Sequence, residues 1–236
     1  MFKLLFSSAF LTLSLLFASL SIVSAQSQVT DWVPEASQWK KLNDEKVIIL
    51  KNEMGKGGKD DDHAATVAVV VDFPMQAVWD VIADKKGAED YVKNLQKVTV
   101  IEETDEYALI EQTIKIGALK KVTYVIKNVD EAPHSMTFSR HSGDLKAIDG
   151  YWKLFPIDGG NKTLVVYKLG LKPGFAVPNF MVKNSLKNSL PEALREVRQE
   201  VTRRQAKTAT AGRSSNRRGL EIQPCQPEGG FVFSRI

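Results

Sequence analysis

Val177–Arg204 reads VPNFMVKNSLKNSLPEALREVRQEVTRR, and its pattern decides the architecture. Phe180, Met181, Leu186, Leu190, Leu194, Val197 and Val201 recur mostly at three- and four-residue steps, the spacing that lays apolar side chains along one stripe of a helix. Lys183, Lys187, Glu192, Arg195, Glu196 and Arg198 fall largely outside that stripe. Pro191 lies inside the pattern, and Ser189-Leu190-Pro191-Glu192 has the spacing of a capping box, so a kink or short break is expected near Ser189. A straight helix should then run from Pro191 to about Arg203. Upstream, many short alternating segments read as antiparallel strands. Strands followed by one long amphipathic helix imply an α+β fold, a curved antiparallel sheet wrapped around that C-terminal helix.

Working back from the helix, Pro173-Gly174 ends the sheet. Before it come Lys162–Leu171, Lys146–Phe155, Ser135–His141, Leu119–Val129, Tyr107–Ile116 and Leu95–Glu103, separated by turn signals such as Asp158-Gly159-Gly160 and Ser142-Gly143-Asp144. Short links between consecutive strands predict a meander. Ala65–Asp72 is a strongly apolar strand broken at Phe73-Pro74, and Met75, Val78, Trp79 and Ile82 share one face of the helix that follows. Gly87 ends it or begins a second short helix carrying Tyr91. Glu45–Lys51 is an added strand, and Trp39 and Leu42 suit a short helix packed on the domain. Asp60, Asp61, Asp62 and His63 invite a metal reading, but the spaced oxygens and distal Glu of a calcium loop are absent, and a solvated hairpin tip is expected.

The ends of the 236-residue chain differ from its middle. A short basic start at Lys3, an apolar run Leu4–Val23 and Val23-Ser24-Ala25 read as a signal peptide over residues 1–25, cut before Gln26, which implies an exported protein, periplasmic or secreted. A retained anchor is the rival, because the apolar run is nearly long enough to span a bilayer. Residues 26–64 form an N-terminal extension with one added strand, residues 65–204 the main domain, and residues 205–236 a basic tail expected to be disordered. The net charge is +4, and Lys207, Arg213, Arg217, Arg218 and Arg235 against Glu221 and Glu228 put most of it in that tail. The domain is left near neutral, which argues against a nucleic-acid partner. Cys225 is the one cysteine, so no intrachain disulfide forms.

The residues carry a resemblance. Val71-Asp72-Phe73-Pro74-Met75-Gln76-Ala77-Val78-Trp79-Asp80-Val81-Ile82-Ala83-Asp84, then Gly150-Tyr151-Trp152-Lys153-Leu154-Phe155-Pro156 with Gly160, Thr163 and Tyr167, then Lys172-Pro173-Gly174 to Pro178 with Leu190-Pro191 and Leu194-Arg195, resemble the START-like, helix-grip superfamily called SRPBCC, in its polyketide cyclase and coenzyme Q-binding branch, with Bet v 1-like relatives. The likeness covers residues 45–204. One departure is the proline that commonly follows the aromatic after the first helix; Lys93 stands near that place. The resemblance implies the helix-grip fold, with two short helices after the first core strand and a cavity between sheet and long helix. Such a hollow binds apolar molecules, with a few polar groups setting their orientation.

Alternation along the strands supplies candidate walls. Tyr124, Phe138, Arg140, Trp152, Leu154, Val165 and Tyr167 come from the sheet, and Val177, Phe180 and Met181 from the helix near the opening. Glu111, Gln112 and His141 are further polar candidates. A one-residue slip would reverse any of these sets. No Ser-His-Asp set, HExxH, CxxC pair or phosphate loop is present, and no catalytic residue, cofactor or metal is assigned. The expected role is a monomeric binding or carrier protein for a hydrophobic small molecule such as a lipid, quinone or polyketide-like compound, with transient membrane contact for ligand exchange. The alternatives are a cyclase or hydratase using cavity acid and base residues, and a protein-interaction module.

Overall fold

In a computed structural model of the chain, residues 29–44, 46–54, 63–116, 120–175 and 177–218 are described. The leader, the Gly55–Asp62 turn with its three aspartates, the link at Gly117–Leu119 and the chain beyond Arg218 with Cys225 lie outside the described residues. By internal packing the chain divides into one unit ending at Val201 and another beginning at Thr202.

The first unit is built on strand β2 (His63–Val71), whose nearly unbroken Val and Ala run has a physical reason. Both faces of the strand are covered. Val67, Val69 and Val71 face the long helix and pack with Val165, Leu154, Leu186, Leu190 and Leu194. Ala68 and Val70 face the far side and pack with Leu164, Val166, Val33 and Leu42. A strand buried on both faces loses the apolar–polar alternation of one that is half wet.

Around β2 the described strands make one antiparallel sheet in the order β1-β2-β8-β7-β6-β5-β4-β3. The other members are β1 (Ile48–Met54), β3 (Leu95–Glu103), β4 (Ala108–Ile116), β5 (Lys120–Glu131), β6 (Ser135–Gly143), β7 (Leu145–Ile157) and β8 (Lys162–Pro173). Strands β3 to β8 form the expected meander. The added strand β1 begins three residues later than predicted, because the chain leaving helix α1 (Ala36–Asn43) stays coiled, with the Lys46 amide donating to the Lys41 carbonyl at 3.0 Å. His63 is no hairpin tip; it opens β2 and is buried.

The extension packs on the far side of the sheet. Leu42 and Val33 are buried there, Trp32 meets Tyr151 edge-on at 5.8 Å, and the Trp39 indole donates to the Val33 carbonyl at 2.9 Å. On the helix side, α2 (Met75–Ile82) and α3 (Ala88–Tyr91) follow β2. The turn between them is fixed by Asp84, which accepts from the Gly87 amide at 2.9 Å, and by the Tyr91 hydroxyl, which donates to the Val81 carbonyl at 3.2 Å.

Helix α4 (Asn179–Arg218) runs through Pro191 as one helix, and the expected break does not occur. Proline in a helix interior costs about 3 kcal/mol or more. Leu186, Leu190, Leu194, Val197 and Val201 are all buried against the sheet and α2, at about 1.5–3 kcal/mol each, so packing outweighs the lost hydrogen bond. The helix also continues beyond Arg204, into the stretch expected to be disordered. In the second unit the Thr208 and Thr210 hydroxyls donate to the carbonyls four residues earlier, of Arg204 and Ala206. Helical backbone there needs no apolar stripe, because Gln, Ala and Lys are good helix formers and no proline intervenes before Arg218.

Candidate functional site

Between the helix side of β4–β8, the α2–α3 corner and α4 lies a cavity of about 300 Å³. Strand register shows how its wall is assembled. Trp152 pairs with Tyr167 across β7 and β8, and Phe138 pairs with Gly150 across β6 and β7. Directly opposed residues point to the same face, so these aromatics converge. Trp152 and Tyr167 stack with centroids 3.9 Å apart, and Phe138 lies 6.4 Å from Tyr167. Gly150 permits this: a Cβ there would lie 2.5 Å from the Phe138 ring and 2.1 Å from the Lys168 carbonyl oxygen.

Of the predicted residues, Tyr124, Phe138, Trp152, Tyr167, Val177 and Met181 line the cavity together. Leu154 and Val165 share their face but sit in the packed core beneath α4. Arg140 does not enter. It is exposed, and its guanidinium donates to the Leu145 carbonyl and, at 3.0 Å, to the Gly143 carbonyl, tying the β6–β7 turn. Arg140 pairs with Ile126 just before a bulge at His141, but beyond Ser139 β6 is no longer paired with β7, and the guanidinium turns to the carbonyls of its own hairpin. Phe180 also stands outside the lining, on the exposed side of the first turn of α4, and is 64% exposed. Glu111 alternates with the lining residues Ile110 and Gln112 along β4, which directs it to the far face.

The polar groups inside are few. The Tyr124 hydroxyl donates to Gln112 Oε1 at 3.0 Å. Burial pushes the Tyr124 and Tyr167 phenols well above their ordinary pKa, with Tyr124 contributing to the rise at Tyr167, so both act as neutral hydrogen-bonding groups. Sequence reasoning missed Asn128, Lys85 and Glu196, which also line the cavity. Asn128 is buried, its Nδ2 donating to the Met136 sulfur at 3.3 Å and its Oδ1 left without a partner. Polar residues on strands are usually found on the wet face, but Asn128 continues the cavity-side alternation of Tyr124 and Ile126 along β5. Lys85 reaches Glu103 at 3.1 Å and Asp130 at 3.0 Å. Burial opposes its charge, but these two hydrogen bonds prevail and raise its pKa.

Ile82 and Lys85, with its ion pairs, stand at one end of the lining, and the solvent-exposed lining residues Lys93, Asn94, Lys115 and Met181 place the mouth at the other. Beside this mouth a strap ties the α3–β3 link to α4. The Lys93 ammonium reaches Glu192 at 3.0 Å, and the Lys93 amide donates to Glu196 Oε1 at 3.3 Å. Burial raises the Glu196 pKa, the Lys93 hydrogen bond opposes the shift, and Glu192 adds to it. A proline at position 93 could supply neither contact. The arrangement can enclose and orient an apolar molecule. Among the described residues no cluster of His, Cys, Asp or Glu could hold a metal ion.

The sequence profile described as "Polyketide cyclase / dehydrase and lipid transport" matches residues 71–198. No curated protein sequence matches the chain. Similar solved structures include the Zhui aromatase/cyclase from Streptomyces sp. R1128, at 18% identity and TM-score 0.55, covering 61% of this chain and 96% of that one. A STAR-related lipid transfer protein from Xanthomonas axonopodis is similar at 13% identity and TM-score 0.55, covering 67% and 94%. Human STARD10 is similar at 13% identity and TM-score 0.52, covering 72% and 80%. At these identities the likeness is one of fold.

Proposed function

Since the chain belongs to the polyketide cyclase / dehydrase and lipid transport family, we propose that it is a binding or carrier protein for a single hydrophobic small molecule held between the sheet and α4. The observation that carries this reading is the cavity itself, about 300 Å³, walled by Phe138, Trp152, Tyr167 and aliphatic side chains with few polar groups. Water gains little in such a space, whereas an apolar ligand buried there gains about 25 cal/mol per Å² of surface removed from water. The volume stands at the small end of the usual range for ligand sites, about 300–1,000 Å³, which suits a one-chain lipid, quinone or polyketide-like compound rather than a two-chain phospholipid.

Exchange takes place at the mouth, where exposed Phe180 and Met181 on the first turn of α4 form an apolar lip for brief contact with a membrane surface. The basic, apolar and small-residue pattern of residues 1–25 supports an exported setting for this work. A catalytic role of the cyclase or hydratase kind has one observation in its favour, the raised pKa of Glu196 at the cavity wall, which suits a general base or acid. In that case Glu196→Gln abolishes turnover without weakening ligand binding.

Native mass spectrometry of the gently purified chain tests the main reading. A bound apolar molecule that is lost in Ala193→Phe, whose added ring projects into the cavity, is the expected result. An empty chain that also takes up no lipid, quinone or aromatic polyketide from a mixed panel overturns it.

A further inference from the structure

The Lys85 end of the cavity has its own chemistry. Asn128 on β5 is opposed by Ala108 on one side and Phe138 on the other, and Ala108 in turn by Glu103. Asn128 thus sits in the sheet row beneath Lys85. Lys115, at the mouth, is seven residues from Ala108 along β4, or about 23 Å away at the rise of an extended strand. Asn128 is 5% exposed. Its amide offers two donors and two acceptor sites. One donor rests on the Met136 sulfur, a weak acceptor, and Oδ1 has no partner. Turning the amide over would only exchange which atom is orphaned. A buried polar group without a partner is a standing cost to the fold, and a ligand that satisfies it recovers that cost.

The neighbouring charges narrow the ligand further. Lys85 is shared between Glu103 and Asp130, so this corner carries one positive and two negative groups. An anionic head group would meet a net negative neighbourhood, and a cationic one would compete with Lys85 for its two carboxylates. What Oδ1 lacks is a neutral donor. Met136 is unbranched and adaptable, able to swing aside as a ligand group arrives.

We propose that Asn128 anchors the polar end of the ligand, and that the ligand is an uncharged amphiphile with a hydroxyl at one end, a long-chain or ring alcohol, which enters hydroxyl first and leaves its apolar body along Trp152 and Tyr167. This rests on the cavity being a hydrophobic ligand site. It adds which end goes in and which head group is selected.

The test compares 1-dodecanol, dodecyl methyl ether and dodecanoate, each titrated near neutral pH into the native chain and into Asn128→Leu, with binding read by native mass spectrometry and tryptophan emission. In the native chain the alcohol binds about tenfold or more tighter than the ether, which has no donor for Oδ1, and tighter than the carboxylate. In Asn128→Leu the alcohol falls to the level of the ether, whose own affinity is unchanged. The ligand-free variant melts no lower than the native chain, because the orphaned group is gone. Equal binding of alcohol and ether by the native chain overturns the anchor while leaving a hydrophobic site in place, and this arm does not depend on the variant folding. Carboxylate binding as tight as the alcohol overturns the head-group selection. Failure of all three to bind overturns the site itself.

Discussion

Gln112 and Tyr124 occupy directly paired positions on β4 and β5, and their side chains meet inside the cavity at 3.0 Å. Tyr124→Phe leaves Gln112 Oε1 without its donor in a largely apolar space. The expected loss is about 1–2 kcal/mol, read as an earlier urea midpoint with an unchanged slope. Such residues were legible because β5 and β8 alternate cleanly: Tyr124 and Tyr167 each fall on the face that their neighbours two positions away also take. Arg140 was not, since β6 and β7 part beyond Ser139 and the guanidinium finds backbone carbonyls in its own hairpin. Asn128 continues the alternation of Tyr124 and Ile126, so its face was legible; its burial was not, because the wall it shares with Ile82 and Lys85 is built by residues more than forty positions earlier.

At the level of elements, the strap from the α3–β3 link to α4 is the feature most open to perturbation. Lys93→Pro removes the ammonium that meets Glu192 and the amide that meets Glu196. Ligand dissociation, followed by stopped-flow emission, should quicken by about two- to tenfold, and raised salt should have part of the same effect on the native chain because the pair is exposed. Glu196 gives the strap a pH dependence. Its pKa is higher folded than unfolded, so it favours folding most below the ordinary value of 4.5, and that contribution is lost as pH rises through the raised folded value. Glu196→Gln keeps an acceptor for the Lys93 amide and drops the charge. The variant should therefore melt above the native chain at neutral pH, and the gap should close as pH falls toward 4.5. The departure at position 93 was visible in the letters, but not its partners on a helix about a hundred residues later. Helix α4 shows the reverse limit. Its stripe was plain, whereas its continuity through Pro191 depends on the tertiary burial of Leu186, Leu190 and Leu194.

On the scale of the first unit, the sheet separates two jobs. Ligand chemistry occupies the helix side, while Val29, Val33 and Leu42 of the extension seal the far side of β2, β8 and β7. Leu42→Ala should cost about 2–5 kcal/mol in a denaturant melt, yet leave dodecanol affinity unchanged wherever the chain remains folded. A parallel loss of affinity would show that the faces are coupled. The meander and both covers could be foreseen from strand spacing and from the aromatics Trp32 and Trp39, because short links leave few topologies. The same separation gives the Trp152–Tyr167 stack a practical meaning. The remaining tryptophans, Trp32, Trp39 and Trp79, do not line the hollow, so changing them to phenylalanine would leave one indole on its wall, and the colour of its emission would serve as a built-in gauge of occupancy, needing no added dye.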